Sequence, residues 1–84
     1  MYYVYVLKSL VDENLYIGST NDLRRRLKEH NDCKVKSTKS RVPLELKYYE
    51  AYTSENEAKH REWNLKQGGN ALTQLKKRIP KSLQ

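Results

Sequence analysis

Apolar and aromatic residues alternate through Tyr2–Leu7, with Tyr2, Val4 and Val6 on one side and Tyr3, Tyr5 and Leu7 on the other. A period of two in β-branched and aromatic residues predicts a strand. Leu15-Tyr16-Ile17-Gly18-Ser19 predicts a second, placing Tyr16 and Gly18 on one face and Leu15 and Ile17 on the other. The six residues between them, Ser9 to Asn14, are turn-forming, so an antiparallel hairpin is the simplest pairing.

Beyond Thr20 the period lengthens. Leu23 and Leu27 stand at i and i+4 behind the cap-type residues Ser19 to Asp22, which predicts a helix of about ten residues stopped at Asn31 and Asp32. Residues 33–43 have no hydrophobic period, carry Lys34, Lys36, Lys39 and Arg41, and end at Pro43, as expected of a basic loop. Leu44–Tyr52 alternates again, with Leu44, Leu46 and Tyr48 set against Glu45, Lys47 and Tyr49, predicting a third strand. Ser54 with Glu57 three residues on forms a capping box, and Gly68-Gly69 stops the helix it opens. Leu72, Leu75 and Ile79 before Pro80 predict a last helix over residues 71–79. The expected fold is α/β of the α+β kind: a small three-stranded antiparallel sheet flanked by helices, in the order β-β-α-β-α-α, forming one domain over residues 1–84.

Helical geometry separates the charged residues. On a wheel drawn from Leu23, Leu27 and His30 fall close on either side of it, Arg26 borders that stripe, Arg24 flanks it more widely, and Arg25 lies nearly opposite. Arg26 and His30 therefore border the surface that rests on the sheet, while Arg25 points away. On the second helix, drawn from Ala58, Leu65 and Glu62 fall on either side of the origin, which sets a carboxylate inside the apolar stripe. Trp63 lies well off that stripe and is expected to be partly exposed. An inward charge needs a partner or a ligand. The structural alternatives are a bridge from Glu62 to Arg26 or to a nearby lysine, a helix-end His30 bonded to a backbone carbonyl, and Tyr5 and Tyr16 as ordinary sheet-packing rings.

Composition sharpens this picture at a few points. The chain has 84 residues, with seven tyrosines and no phenylalanine. The core must therefore use amphipathic rings whose hydroxyls need partners. Its single cysteine, Cys33, cannot form an internal disulfide and makes no zinc spacing with His30 and His60. No segment is apolar enough to predict a membrane span, and a cytoplasmic location is expected. Seventeen Lys and Arg against ten Asp and Glu give a formal charge of +7. Such an excess favours a polyanionic partner, because each neutralised phosphate releases counterions.

Tyr16-Ile17-Gly18 is followed by Ser19, Thr20 and Leu23, then Arg26 eight residues after the glycine and His30 four later. Further on stand Thr38-Lys39, Arg41 and Pro43, and a helix with Ala58 and Glu62 four apart. From Tyr2 to about Lys66 the chain resembles the GIY-YIG nuclease family, in particular its short single-domain branch related to the nuclease domain of the bacterial excision-repair excinuclease. Tyr3-Val4-Tyr5 stands where Gly-Ile-Tyr is usual, and no position matches the asparagine that many members carry beyond the glutamate.

The resemblance implies a metal-dependent endonuclease acting on phosphodiester bonds of nucleic acid, expected to be DNA, with structure-selective repair or recombination substrates. It makes Glu62 the ligand of a single Mg²⁺ or Mn²⁺, a hard ion that one carboxylate and several waters can satisfy. It makes Arg26 a fork on the scissile phosphate, Tyr5 or Tyr16 the acceptor of the water's proton, and His30 a relay or an orienting group. The basic loop residues Lys34, Lys36, Lys39 and Arg41 would hold flanking phosphates. Cations nearby are expected to make the accepting phenol more acidic. The alternatives are a non-catalytic nucleic-acid-binding module on the same scaffold and an accessory subunit whose basic face meets an acidic protein.

Overall fold

The computed structural model describes residues 1–84. Its elements run β1 (Tyr2–Ser9), β2 (Leu15–Thr20), α1 (Leu23–Asn31), β3 (Leu44–Tyr52), α2 (Glu55–Lys66) and α3 (Asn70–Arg78). The three strands form one antiparallel sheet in the order β2-β1-β3, giving an α+β fold in the expected element order.

The central strand β1 has apolar residues on both faces because both faces are covered. Val4 and Val6 join Ile17 of β2, Ala58 and Leu65 of α2 and Leu75 of α3 in one core. Tyr5 and Leu7 point the other way and pack with Leu44, Leu23 and Leu27, beneath α1. Each fully buried leucine or valine in these layers contributes roughly 1.5–3 kcal/mol of burial, so two thin cores share the sheet.

The third strand departs from its expected alternation. Val6 pairs with Tyr48 but Leu7 pairs with Leu46, so Lys47 is an extra residue in a β-bulge. Leu44 and Leu46 face α1, whereas Tyr48 turns to the α2 face with Tyr52. Strict alternation puts Tyr48 on the wrong side because a bulge inverts every side chain beyond it. On that face the Glu50 carboxylate accepts hydrogen bonds from Tyr48 Oη at 2.6 Å, Tyr52 Oη at 2.5 Å, and Arg61 Nε and Nη2 at 2.9 and 3.0 Å. Burial alone would raise the Glu50 pKa, but these donors hold it below the usual carboxylate value. The cluster fastens α2 to β3.

Helix ends follow the sequence signals. Asp22 Oδ1 accepts from Arg25 N at 3.1 Å at the start of α1, and Ser54 Oγ accepts from Glu57 N at 3.3 Å at the start of α2. Gly68, at φ +68°, lets the chain leave α2 in the left-handed region that a side chain disfavours. No helix is long and apolar enough to cross a membrane.

Two clamps order the loop between α1 and β3. Asn31 donates through Nδ2 to Leu44 O at 3.0 Å and accepts at Oδ1 from Leu44 N at 2.7 Å, imitating one strand pair. At the far end Arg41 forks onto Asp12, Nε to Oδ2 at 2.8 Å and Nη2 to Oδ1 at 3.3 Å, and also reaches Asn14 O at 3.1 Å. The buried Ser9 hydroxyl donates to Arg41 O at 2.7 Å and accepts from Val11 N, joining the hairpin loop to the basic loop.

Removing the first clamp strands two backbone groups of the buried Leu44. Asn31→Ala should lower unfolding free energy by about 1–3 kcal/mol in urea denaturation, with the m-value unchanged. A loss within error would show that Leu44 finds other partners.

Candidate active site

The site is organised by a side chain that is missing. Tyr5 in β1 pairs with Gly18 in β2, and the Tyr5 ring lies across that glycine. A Cβ built on Gly18 would meet Tyr5 Oη and stand 2.5 Å from Cζ. Glycine at this position is therefore a matter of close approach. Turned over β2, the Tyr5 hydroxyl meets His30 of α1, with Oη 2.9 Å from Nε2. The other ring nitrogen, Nδ1, lies 2.8 Å from Oγ1 of Thr38 in the basic loop. Tyr5 is 2% exposed, and His30 and Thr38 are 0% exposed, so three segments meet at a fully buried polar line.

This arrangement sets aside one structural alternative and corrects one expectation. His30 bonds two side chains, not a backbone carbonyl. The Tyr5 phenol is not made more acidic: burial pushes its pKa up to about 12, and the adjacent Arg26 guanidinium offsets only part of that rise. His30 is moved down by burial first and by Arg26 second, so the imidazole is neutral at neutral pH.

Tyr16 sits half-buried on the edge strand β2, its ring 5.1 Å from the His30 ring and 6.5 Å from that of Tyr5. Arg26 lies on the same side of the sheet and pairs with Glu29 at 3.2 Å. Both of these side chains are about one-third exposed, 36% and 35%, so the pair is a weak one that a phosphate can displace. Tyr5, Tyr16, Arg26 and His30 are thus brought together.

Glu62 reaches the sheet from the opposite layer. Its Oε1 accepts from Ser19 Oγ at 2.5 Å, one residue beyond Gly18, and its Oε2 pairs with Lys66 Nζ at 2.6 Å. The bridge to Arg26 is not formed. The lysine that takes its place is one turn on in the same helix, and i,i+4 geometry makes that the shorter route. Trp63 is 59% exposed, in line with its place off the apolar stripe.

The basic loop divides. Lys34, Lys36 and Lys39 are exposed, whereas the Arg41 guanidinium is engaged by Asp12 and backbone carbonyls at the hairpin loop. Sequence reasoning missed Thr38 and Ser19 as partners of His30 and Glu62. Nothing local in the sequence marks either contact, since each joins two separate segments of the chain.

A family model described as the GIY-YIG catalytic domain matches residues 1–78. A UPF0213 protein of Clostridium perfringens is 46% identical over 67 residues, which are 79% of this chain and 71% of that protein. The UPF0213 protein YazA of Bacillus subtilis is 40% identical over 79 residues, 93% of this chain and 75% of that one. A UPF0213 protein of Halobacterium salinarum is 40% identical over 68 residues, covering 80% and 87%. The solution NMR structure of a UPF0213 protein from Bacillus halodurans is similar with a TM-score of 0.57 and 32% identity, over 94% of this chain and 85% of that one.

Two outcomes are expected of the buried line. Gly18→Ala should cost about 1–3 kcal/mol in denaturant unfolding by forcing the Tyr5 ring off β2. Combined with Tyr5→Leu, its loss should not add to the single losses; full additivity would mean the two positions do not touch. Because the native His30 pKa lies below its unfolded value of about 6.5, the unfolded chain binds more protons. The His30 contribution is complete above about pH 6.5 and is lost as pH falls below it. Urea midpoints should therefore decline from pH 7 toward pH 5 in wild type and decline less steeply in His30→Gln.

Proposed function

The chain belongs to the GIY-YIG family, and from that premise we propose that it is a divalent-metal-dependent endonuclease hydrolysing phosphodiester bonds of DNA, selective for structured repair or recombination substrates. A GIY-YIG domain is a nuclease fold. One observation carries the step to activity: Arg26, Tyr16 and the Tyr5–His30 pair gather above Gly18, while Ser19, the next residue, holds Glu62.

Glu62 suits a single hard cation. No group of three or more His, Cys, Asp or Glu is assembled that would hold an ion by protein ligands alone, and Mg²⁺ and Mn²⁺ accept one carboxylate with waters and a phosphate oxygen. Lys66, 46% exposed at its side chain, would release Oε2 to it. Such an ion supplies neutralisation of the charge that develops on the phosphoryl oxygens.

The chain's own residues do the rest. Arg26 exchanges Glu29 for the scissile phosphate, presenting two parallel N–H donors to its oxygens. Tyr16, half-buried at the sheet edge, accepts the attacking water's proton as a phenolate, its own hydroxyl proton having first passed to solvent at that edge. Tyr5 takes the supporting place, since its phenol is enclosed and bonded to His30. Lys34, Lys36 and Lys39 hold flanking phosphates without reading sequence.

A second reading, a non-catalytic nucleic-acid-binding module, is favoured by the occupancy of both Glu62 oxygens by Ser19 and Lys66. The two are separated by incubating labelled duplex, flapped and branched DNA with Mg²⁺ or Mn²⁺. Arg26→Ala and Glu62→Ala should each lower cleavage by at least about 10²-fold, the scale of losing one transition-state charge contact. Glu62→Ala should leave binding without metal within about twofold. Tight binding with no cleavage of any substrate would select the binding module.

A further inference from the structure

Hydrogen-bond donors and acceptors along the buried line can be assigned from its two ends. Tyr5 Oη has one hydrogen-bond partner, His30 Nε2 at 2.9 Å, and the positively charged Arg26 guanidinium is its neighbour on the same side of the sheet. A guanidinium has five donors and no acceptor. The Tyr5 hydrogen therefore points to Nε2, which must be the unprotonated nitrogen of a neutral ring. The ring proton then sits on Nδ1, and Thr38 Oγ1, at 2.8 Å, must receive it. The Thr38 hydrogen is left for Val35 O at 3.5 Å, a carbonyl that can only accept. Every atom along the line finds a complementary partner in one arrangement, and no buried side-chain polar atom is left over.

We infer that Thr38 is a positioning residue for the Tyr5 hydroxyl, and through it for the neighbouring Arg26: by accepting the Nδ1 proton it fixes the His30 tautomer, which directs the Tyr5 hydrogen to Nε2 and leaves the oxygen's lone pairs free for the cation. Thr38 touches no substrate, and its influence passes through two intervening side chains. Val at this position has nearly the same shape and no acceptor. The Nδ1 hydrogen would then be buried and unpaired, so the ring proton moves to Nε2, leaving only an unprotonated nitrogen to face the methyl. Nε2–H then points at Tyr5 Oη, and the Tyr5 hydrogen is left with no acceptor. The neighbouring Arg26 would then face a hydroxyl hydrogen in place of a lone pair.

The role of Arg26 toward phosphate rests on the proposed nuclease; the tautomer does not. With histidine uniformly labelled with ¹⁵N, long-range ¹H–¹⁵N correlations at neutral pH should show His30 protonated at Nδ1 in wild type and in Thr38→Ser. In Thr38→Val the proton should move to Nε2 or be shared, with exposed His60 unchanged as an internal control. Affinity for a fluorescein-labelled DNA oligonucleotide should fall about three- to tenfold in Thr38→Val, the fold-change equivalent of one net hydrogen bond, and be restored in Thr38→Ser. Thermal unfolding monitored by circular dichroism establishes that each variant is folded. An Nε2-protonated wild type, or a Thr38→Val ring identical to wild type, overturns the assignment. A switched tautomer with affinity unchanged, while Arg26→Ala loses affinity, overturns the transmission to Arg26. Absence of cleavage by every variant bears on the nuclease alone and leaves the tautomer result standing.

Discussion

The position at which Gly18 has no side chain determines where every other group of the site can stand. Because the Tyr5 ring occupies that space, its hydroxyl lies over β2 and meets α1. His30 then has to face inward from α1, and Arg26, four residues earlier on the same helix face, is carried to the same edge of the sheet. The next residue along β2, Ser19, points to the opposite layer by the alternation of the strand and meets Glu62 there. One crossing of two strands thus sets an arginine from one helical layer and a carboxylate from the other around two tyrosines.

The two layers are held by different means. Above the sheet, α1 is fixed by the Tyr5–His30–Thr38 line, by the clamp of Asn31 on Leu44 and by the smaller of the two apolar clusters. Below it, α2 and α3 rest on a larger apolar cluster, reinforced by Glu50 with Arg61, Tyr48 and Tyr52. The seven tyrosines of a chain without phenylalanine make sense here. Three of them are bonded through their hydroxyls: Tyr5 joins the sheet to His30 of α1, while Tyr48 and Tyr52 hold the Glu50 carboxylate of their own strand, which Arg61 of α2 grips.

Much of this was legible in the sequence. Alternation around Tyr2–Leu7 and Leu15–Ser19, caps at Asp22 and Ser54, and the placement of Arg26, His30 and Glu62 beside their apolar stripes depend on local periodicity, which the chain states openly. The exceptions have non-local causes. Tyr48 changes face because an extra residue at Lys47 is absorbed opposite Val6 and Leu7, and nothing in β3 alone reveals it. Thr38 finds His30, Ser19 finds Glu62 and Arg41 finds Asp12 only once the loops are folded over the sheet. The direction in which the Tyr5 proton affinity moves was also out of reach. It is set by the competition between enclosure and a neighbouring cation, and enclosure prevails.

The bulge at Lys47 has a further consequence. β3 is an edge strand, and its outer row of peptide groups is open to any extended chain that could continue the sheet. A flat, regular edge of nine residues rich in tyrosine would invite that addition. Lys47 instead breaks the even spacing of hydrogen-bonding groups, and its ammonium pairs with Glu45 beside it. The irregularity that moves Tyr48 into the lower core also makes the strand a poorer template for sheet-to-sheet addition.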